Sequence, residues 1–323
     1  MRRLGIFAIA FVASLAVADG EQIDLALEVF EVPRFMYPPD LDGIRGAVEW
    51  ADALELECSP SQIERDKAKH GETEWGEDWS KISVNQLLQS KEEADDIART
   101  DADASSFIWH GWDDEGLYFI AEVRDNVRDI DEGRRDENTW WERDSLSLYV
   151  DLLNSDDRNK IRGYSAQLFT SLNIINFVAD PQHARPKNIT WEYSSSLESR
   201  TVVPRDADFS EAFTYGFREA YAEFGGEADY TIEGKIPWET LMRFNLSARP
   251  EVGTEMGFSY ILVDPDGFTR EGDGWGGQLQ CWGHASSAAH YSTWIFSDTP
   301  AGPPSDTAIA EDSWARIKTT FQP

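Results

Sequence analysis

Clustered carboxylates are the first residues of this sequence whose chemistry stands out. The chain carries 60 Asp and Glu residues, and Asp125, Asp129 and Asp131 lie close together just after a predicted strand. A second acidic run, Asp264-Pro-Asp-Gly, resembles the start of a calcium loop, although the pattern fails further along. Carboxylate oxygens suit a hard cation such as calcium. Structural calcium, with Asp125, Asp129 and Asp131 as candidate ligands, is therefore one interpretation, and ordinary solvated charge is the other.

Paired carboxylates also occur in glycoside hydrolases, whose two acids face each other across a sugar at about 5–9.5 Å. The acids within or beside predicted strands are Glu122, Glu142, Asp144 and Glu233. Their spacing singles out no pair, and ion pairing is the ordinary role of such residues. The chain also lacks the H-E-x-x-H and G-x-S-x-G motifs. Hydrolysis of O-glycosyl bonds therefore stays an alternative, and we predict no catalytic residues.

A glycine-rich run at 272–277 fits the dinucleotide pattern G-x-G-x-x-G literally. That fingerprint must open a helix within a strand–helix–strand unit, and nothing after Gly277 predicts such a helix. We interpret the run as a loop that presents an aromatic residue, Trp275.

Charge and composition exclude several classes of protein. The formal net charge is −31, which excludes a nucleic-acid surface because phosphate binding needs Lys and Arg. It also disfavours docking on anionic lipid. Hydrophobic residues make up 41% of the chain, which is too many for a disordered protein.

The first residues have the form of a secretory signal peptide. Arg2 and Arg3 precede an apolar run that ends in Ala-Val-Ala at residue 18. We predict cleavage after 1–18, no membrane span in the mature chain, and a secreted, extracytoplasmic location. In that oxidising setting Cys58 and Cys281 either form a disulfide or stay as buried thiols.

Short β runs broken by turn residues dominate the rest of the chain. In 145–150, for example, Leu146, Leu148 and Val150 share one face of a strand. Many strands with few helical patterns predict an all-β fold, an antiparallel β-sandwich, as a single domain over 19–323.

Two polar stretches, about 59–99 and 181–210, lack this pattern and are predicted to be insertions. We expect a minor helix within the first stretch, over 83–97.

Several short segments, taken in order, resemble the family 9 carbohydrate-binding module. Each is degenerate alone, but their order over residues 40–296 is specific. They are Asp42-Gly43 with Trp50-Ala51-Asp52-Ala53, the run 112–119 with Val123 and Asp125, the run 141–145 with Leu146, Leu148 and Val150, the run 230–233 with Ile236-Pro237-Trp238, Gly257-Phe258 before Asp264, and Gln280-Cys281-Trp282.

The resemblance implies a sandwich of jelly-roll type that binds carbohydrate, often with structural calcium, and does not cleave its ligand. In such modules tryptophan rings stack on a sugar while polar side chains read its hydroxyl groups. Flat aromatic faces suit the C–H face of a pyranose ring.

The family pattern transfers only in part to this chain. Trp141 matches the first stacking tryptophan, with core packing as the alternative, and Gln167 matches a retained polar position. A polar reader is replaced by Ser147 and an arginine by Phe169. The second tryptophan has no clear counterpart, so His290 and Tyr291, with Trp275, complete the candidate sugar contacts.

The sequence therefore predicts a secreted, non-catalytic carbohydrate-binding protein linked to polysaccharide catabolism. Two alternatives remain open: a hydrolase of O-glycosyl bonds, and a structural or adhesion sandwich that has lost its sugar site.

Overall fold

The computed structural model describes fourteen strands and three helices within twelve segments of the chain. The described residues are 28–70, 86–89, 100–127, 144–151, 172–178, 187–196, 199–202, 214–226, 228–242, 248–264, 277–283 and 291–303. The strands are β1 (Val29–Phe35), β2 (Leu54–Cys58), β3 (Gln86–Gln89), β4 (Ala104–Trp112), β5 (Gly116–Asp125), β6 (Ser145–Asp151), β7 (Leu172–Val178), β8 (Lys187–Ser196), β9 (Ser199–Val202), β10 (Thr214–Glu219), β11 (Tyr230–Pro237), β12 (Glu255–Asp264), β13 (Gly277–Cys281) and β14 (Ser292–Ala301). The helices are α1 (Pro60–His70), α2 (Tyr221–Phe224) and α3 (Trp238–Met242). Within these segments no helix is long and apolar enough to cross a bilayer, and the predicted signal peptide lies outside them.

The strands form one curled sheet whose two halves face each other, which confirms the predicted all-β sandwich. Its order is β10-β11-β5-β4-β1-β14-β12-β6-β7-β8-β9, with β2 beside β4, and with β13 between β12 and β3. The main hydrophobic core takes residues from both halves, such as Ile108 and Phe119 from one and Leu148 and Trp294 from the other.

One strand departs from the predicted antiparallel arrangement. β1 runs parallel to β14 and, through Arg34 and Trp112, to β4. A parallel pair cannot be joined by a tight hairpin. β1 and β14 are the first and last described strands, so no short connection fixes their relative direction.

The two predicted insertions contain regular structure that the sequence patterns did not reveal. Of the predicted helix over 83–97, the structure describes residues 86–89. The prediction is wrong there, because Gln86–Gln89 is a strand paired with β13. A helix forms earlier, where Ser59 accepts the N–H of Gln62 at 3.0 Å and Pro60 occupies the first turn. In the second stretch, β8 and β9 continue the antiparallel sheet beyond β7.

A smaller hydrophobic cluster lies on the outer face of β4 and β5, where the segment 36–53 covers it. Its members are Phe35, Trp50, Trp109, Tyr118, Ile120 and Ala301. The buried carboxylate of Glu233 fastens this segment to the sheet, because it accepts the N–H of Gly43 at 2.6 Å and the indole N–H of Trp50 at 3.1 Å. Burial raises the pKa of Glu233 to about 7, against the effect of these two hydrogen bonds.

A histidine is buried on the inner face of β4, opposite the smaller cluster. His110 lies in the core against Trp294 and shares a hydrogen bond with the hydroxyl of Tyr260 on the facing half of the sheet. Burial lowers the pKa of His110 to about 3. The neutral imidazole is therefore a packing group that links the two halves.

A disulfide also joins the two halves. Cys58 at the end of β2 is bonded to Cys281 at the end of β13, across 223 residues of sequence, and neither residue is exposed to solvent. The structure thus adopts one of the two cysteine states that the sequence left open.

We expect the double variant C58A/C281A to lower the free energy of unfolding by about 2–5 kcal/mol, because the bridge restricts a very long loop in the unfolded chain. Urea denaturation of the oxidised wild type, the reduced wild type and the variant measures this effect. Reduced wild type should match the variant, and three coincident unfolding curves would contradict the prediction.

The stability of the protein should respond to pH through two opposing buried groups. The folded-state pKa of His110 lies below its unfolded value, so its contribution to stability is lost as pH falls below about 6.5, by at most about 1.4 kcal/mol per pH unit. The folded-state pKa of Glu233 lies above its unfolded value, so its contribution is lost as pH rises from about 4.5 to 7.

The variants E233Q and H110Q separate these two contributions in urea titrations between pH 4.5 and 7. E233Q should lose stability more steeply than wild type on acidification, and H110Q should lose it less steeply. Parallel pH profiles for all three proteins would show that neither group titrates as described.

Candidate functional site

Three buried aspartates meet at one end of the sandwich. Asp125 is the last residue of β5, Asp144 directly precedes β6, and Asp264 is the last residue of β12. One carboxylate oxygen from each lies within 4.8 Å of the other two. The three residues are only 3%, 1% and 2% exposed. Because β5 belongs to one half of the sheet and β6 and β12 to the other, this aspartate triad spans both halves.

Strand register brings the triad together. β6 and β12 are antiparallel, and Ser145 pairs with Val263, so Asp144 and Asp264 fall at the same end of the pair. On the facing half, Val123 of β5 pairs with Tyr230 of β11. Asp125 therefore lies near the start of β11, and the curl of the sheet brings this end of β5 against Asp144 and Asp264.

Holding three carboxylates together away from water is unfavourable unless protons or a positive charge offset their repulsion. The effect of this charge reaches Tyr230, which is also buried. Burial, and after it the charges of Asp144, Asp125 and Asp264, raise the pKa of the Tyr230 hydroxyl well above its usual range.

The aspartate triad can hold a metal ion. It offers only oxygen donors, which suit a hard cation, and no Cys or His of the kind that zinc prefers. Of the predicted ligands Asp125, Asp129 and Asp131, the structure places Asp125 in the triad, and the other two lie outside the described residues. The described partners of Asp125 are Asp144, directly before β6, and Asp264, at the end of β12.

The sequence had marked both of these partners for other reasons. Asp144 was a candidate catalytic acid, and Asp264 opened the run that resembles a calcium loop. Only the fold shows that they share one site with Asp125.

Most candidate sugar contacts cannot be placed in the structure. Trp141, Gln167, His290 and Trp275 lie outside the described residues. Tyr291 is described, and it is fully buried, with its ring edge-to-face against Tyr149 at 6.4 Å. Its ring offers no open face in this structure, and its role in sugar binding stays a prediction.

The remaining acids considered for catalysis have contacts of their own. Glu122 accepts a hydrogen bond from the guanidinium of Arg45 at 2.8 Å. Glu233 is the buried fastener of the 36–53 segment. Glu142 lies outside the described residues.

The motif residues of the β4–β5 hairpin shape the fold. Asp113 accepts the N–H groups of Glu115 and Gly116 at 2.7 and 3.0 Å, and it also accepts the hydroxyl of Tyr118. A Cβ atom at Gly116 would lie 2.6 Å from the carbonyl oxygen of Ile236. The indole of Trp238 donates to the carbonyl of Asp113 at 2.7 Å, so the hairpin and the Pro-Trp run fasten each other.

A family model covers both the β4–β5 hairpin and the Pro-Trp run. The family model for "Carbohydrate family 9 binding domain-like" matches residues 72–277. Two solved structures of a family 9 carbohydrate-binding module from Caldicellulosiruptor kristjanssonii are similar to the chain. The complex with cellotriose is 12% identical, with a TM-score of 0.45; the alignment covers 86% of this chain and 96% of the module. The complex with glucose is 13% identical, with a TM-score of 0.42; the alignment covers 86% of this chain and 98% of the module. A comparison with curated proteins gives no match.

Proposed function

The chain belongs to the carbohydrate family 9 binding domain-like family, and from that premise we propose that it is a secreted, non-catalytic carbohydrate-binding protein linked to polysaccharide catabolism. The observation that carries this proposal is the family match over residues 72–277. The β-sandwich, in which family motif residues hold the β4–β5 hairpin in place, supports it.

Sugar binding in this proposal depends on aromatic stacking. Trp141 covers the apolar face of a pyranose, and Gln167 and His290 bind its hydroxyl groups. Trp275 and Tyr291 are further aromatic contacts, and Tyr291 would have to leave its buried position to touch a sugar.

The chain connects the proposed sugar contacts to the aspartate triad. Trp141 stands three residues before Asp144, and Trp275 stands eleven residues after Asp264. The segment with Trp141 therefore leads into Asp144, and the segment with Trp275 leaves from Asp264. An ion that fixes these two aspartates limits how far each tryptophan can lie from the triad.

We propose calcium as the ion at the triad. Calcium binds six to eight oxygen ligands, and three carboxylates supply a large share of them. When bound, the ion supplies positive charge that offsets the repulsion among Asp125, Asp144 and Asp264. The three side chains in turn connect the two halves of the sheet.

Secretion is part of the same proposal. The signal peptide predicted at 1–18 accounts for export of a mature domain over 19–323. A buried disulfide between Cys58 and Cys281 supports this location, because such bonds persist in oxidising compartments.

We expect Trp141→Ala to weaken carbohydrate binding by about tenfold or more, since it removes an aromatic stacking face. A glycan array and polysaccharide pull-down, run with and without calcium on wild type and variant, make the measurement. Glucose and cellotriose belong in the panel. Trp140→Ala is the matched control, because it removes the same indole side chain from the neighbouring position of the sequence.

A folded wild type that binds no glycan would contradict the carbohydrate proposal and favour a structural or adhesion sandwich. Release of sugar products from a polysaccharide, abolished by a single Asp or Glu substitution, would favour the hydrolase instead.

Calcium should stabilise the wild type, by about 2.7 kcal/mol when its concentration is 100 times the Kd. Asp144→Asn should abolish this gain. Without calcium, the variant should unfold at the same temperature as wild type or higher, because one of three mutually repelling charges is gone. Thermal unfolding in calcium and in EDTA measures both effects.

The matched control is Asp103→Asn, at the same end of the sandwich, whose carboxylate accepts the amide of Asn126 at 2.7 Å. It should keep the calcium response. A wild type with identical melting temperatures in calcium and EDTA would contradict the calcium proposal.

A further inference from the structure

A fourth buried aspartate supports the triad without belonging to it. Asp229 lies in the connection between β10 and β11 and is 1% exposed. One of its carboxylate oxygens accepts the backbone N–H of Asp125 at 2.9 Å, and the other accepts the N–H of Gly226 at 2.7 Å. Asp229 therefore joins the β10–β11 connection to the last residue of β5.

The contacts around Asp229 fix it in one place. A Cβ atom at Gly226 would lie 2.3 Å from a carboxylate oxygen of Asp229, so only glycine leaves room for this side chain. The guanidinium of Arg124 stands 3.7 Å from the other oxygen and packs over the ring of Phe224.

These contacts also determine the position of Asp125. Its N–H is donated to Asp229, and its carbonyl accepts the N–H of Ala228 at 3.3 Å. Its carboxylate accepts the N–H of Val127 at 2.9 Å. Hydrogen bonds therefore fix both the backbone and the side chain of Asp125. Asp229, in the β10–β11 connection, is the side chain that binds the Asp125 backbone.

We propose that Asp229 is a positioning residue for the metal site and does not bind the ion itself. It holds the end of β5 so that the carboxylate of Asp125 meets those of Asp144 and Asp264. This inference rests on the proposed calcium site. Groups that orient metal ligands typically change affinity by about 10- to 100-fold when they are removed. Loss of Asp229 should therefore weaken calcium binding while all three triad carboxylates remain.

The test is isothermal titration of calcium into the full chain after metal removal with EDTA. Asp229→Ala removes both backbone contacts, and we expect its Kd for calcium to rise about 10- to 100-fold. Gly226→Ala should also raise the Kd, since its methyl group displaces the Asp229 carboxylate while Asp229 itself is kept. If Asp229→Ala fails to fold, the Gly226→Ala result decides.

Two control variants separate positioning from general destabilisation. Gly225→Ala strains the same turn, because Gly225 has φ +94°, yet a Cβ atom there meets nothing within 4 Å. Asp113→Ala removes a turn carboxylate that also accepts two backbone N–H groups, at the far end of β5. Both controls should keep the wild-type Kd within about twofold, as expected for sites without shared partners.

The outcomes distinguish this inference from the calcium proposal. Weakened binding in Asp229→Ala and Gly226→Ala, with both controls unchanged, supports it. Binding unchanged in Asp229→Ala, or weakened alike in all four variants, overturns the positioning role and leaves the calcium site standing. A wild type that binds no calcium overturns both.

Discussion

The repulsion among three buried carboxylates is the constraint on which this structure depends. Asp125, Asp144 and Asp264 approach one another within 4.8 Å at the end of the sandwich, where little water reaches them. An arrangement of this kind persists only when positive charge or protons offset its cost. A calcium ion at this position would offset the repulsion and link the two halves of the sheet. Tyr230 and Asp229, both buried beside it, extend the polar cluster into the β10–β11 connection.

The family motifs of this chain mainly support the scaffold. Asp113 orders the β4–β5 turn, Trp238 fastens that turn from α3, and Glu233 holds the 36–53 segment on the sheet. Of the residues proposed to bind sugar, the structure describes Tyr291, which is fully buried directly before β14. Two further positions of the family pattern are changed in this chain, to Ser147 and Phe169. Ser147, whose family counterpart reads the sugar, is completely buried in this structure.

Local signals in the sequence predicted strand β6 well. The alternation over 145–150 lies within β6, and Leu146, Leu148 and Val150 of its predicted shared face are all buried in the main core. Helix α1 was not predicted, although Ser59 and Pro60 are typical residues for the start of a helix. The charged stretch around them was interpreted as an insertion.

Long-range features were harder to predict from the sequence. The parallel β1–β14 pair joins residues more than 250 positions apart, and no local pattern encodes such a pairing. The same holds for the aspartate triad. Asp125 was identified as a candidate ligand from its neighbours in sequence, Asp129 and Asp131, whereas register and the curl of the sheet supply Asp144 and Asp264. Composition with 60 acids cannot distinguish these three from the rest.

Anomalous diffraction from crystals grown with calcium would show the ion itself, because it locates the metal independently of any stability or affinity measurement. We expect one strong peak bonded to oxygens of Asp125, Asp144 and Asp264 at about 2.3–2.6 Å. A calcium-saturated crystal with no peak at the triad, and with the three carboxyl groups hydrogen-bonded to one another instead, would contradict it.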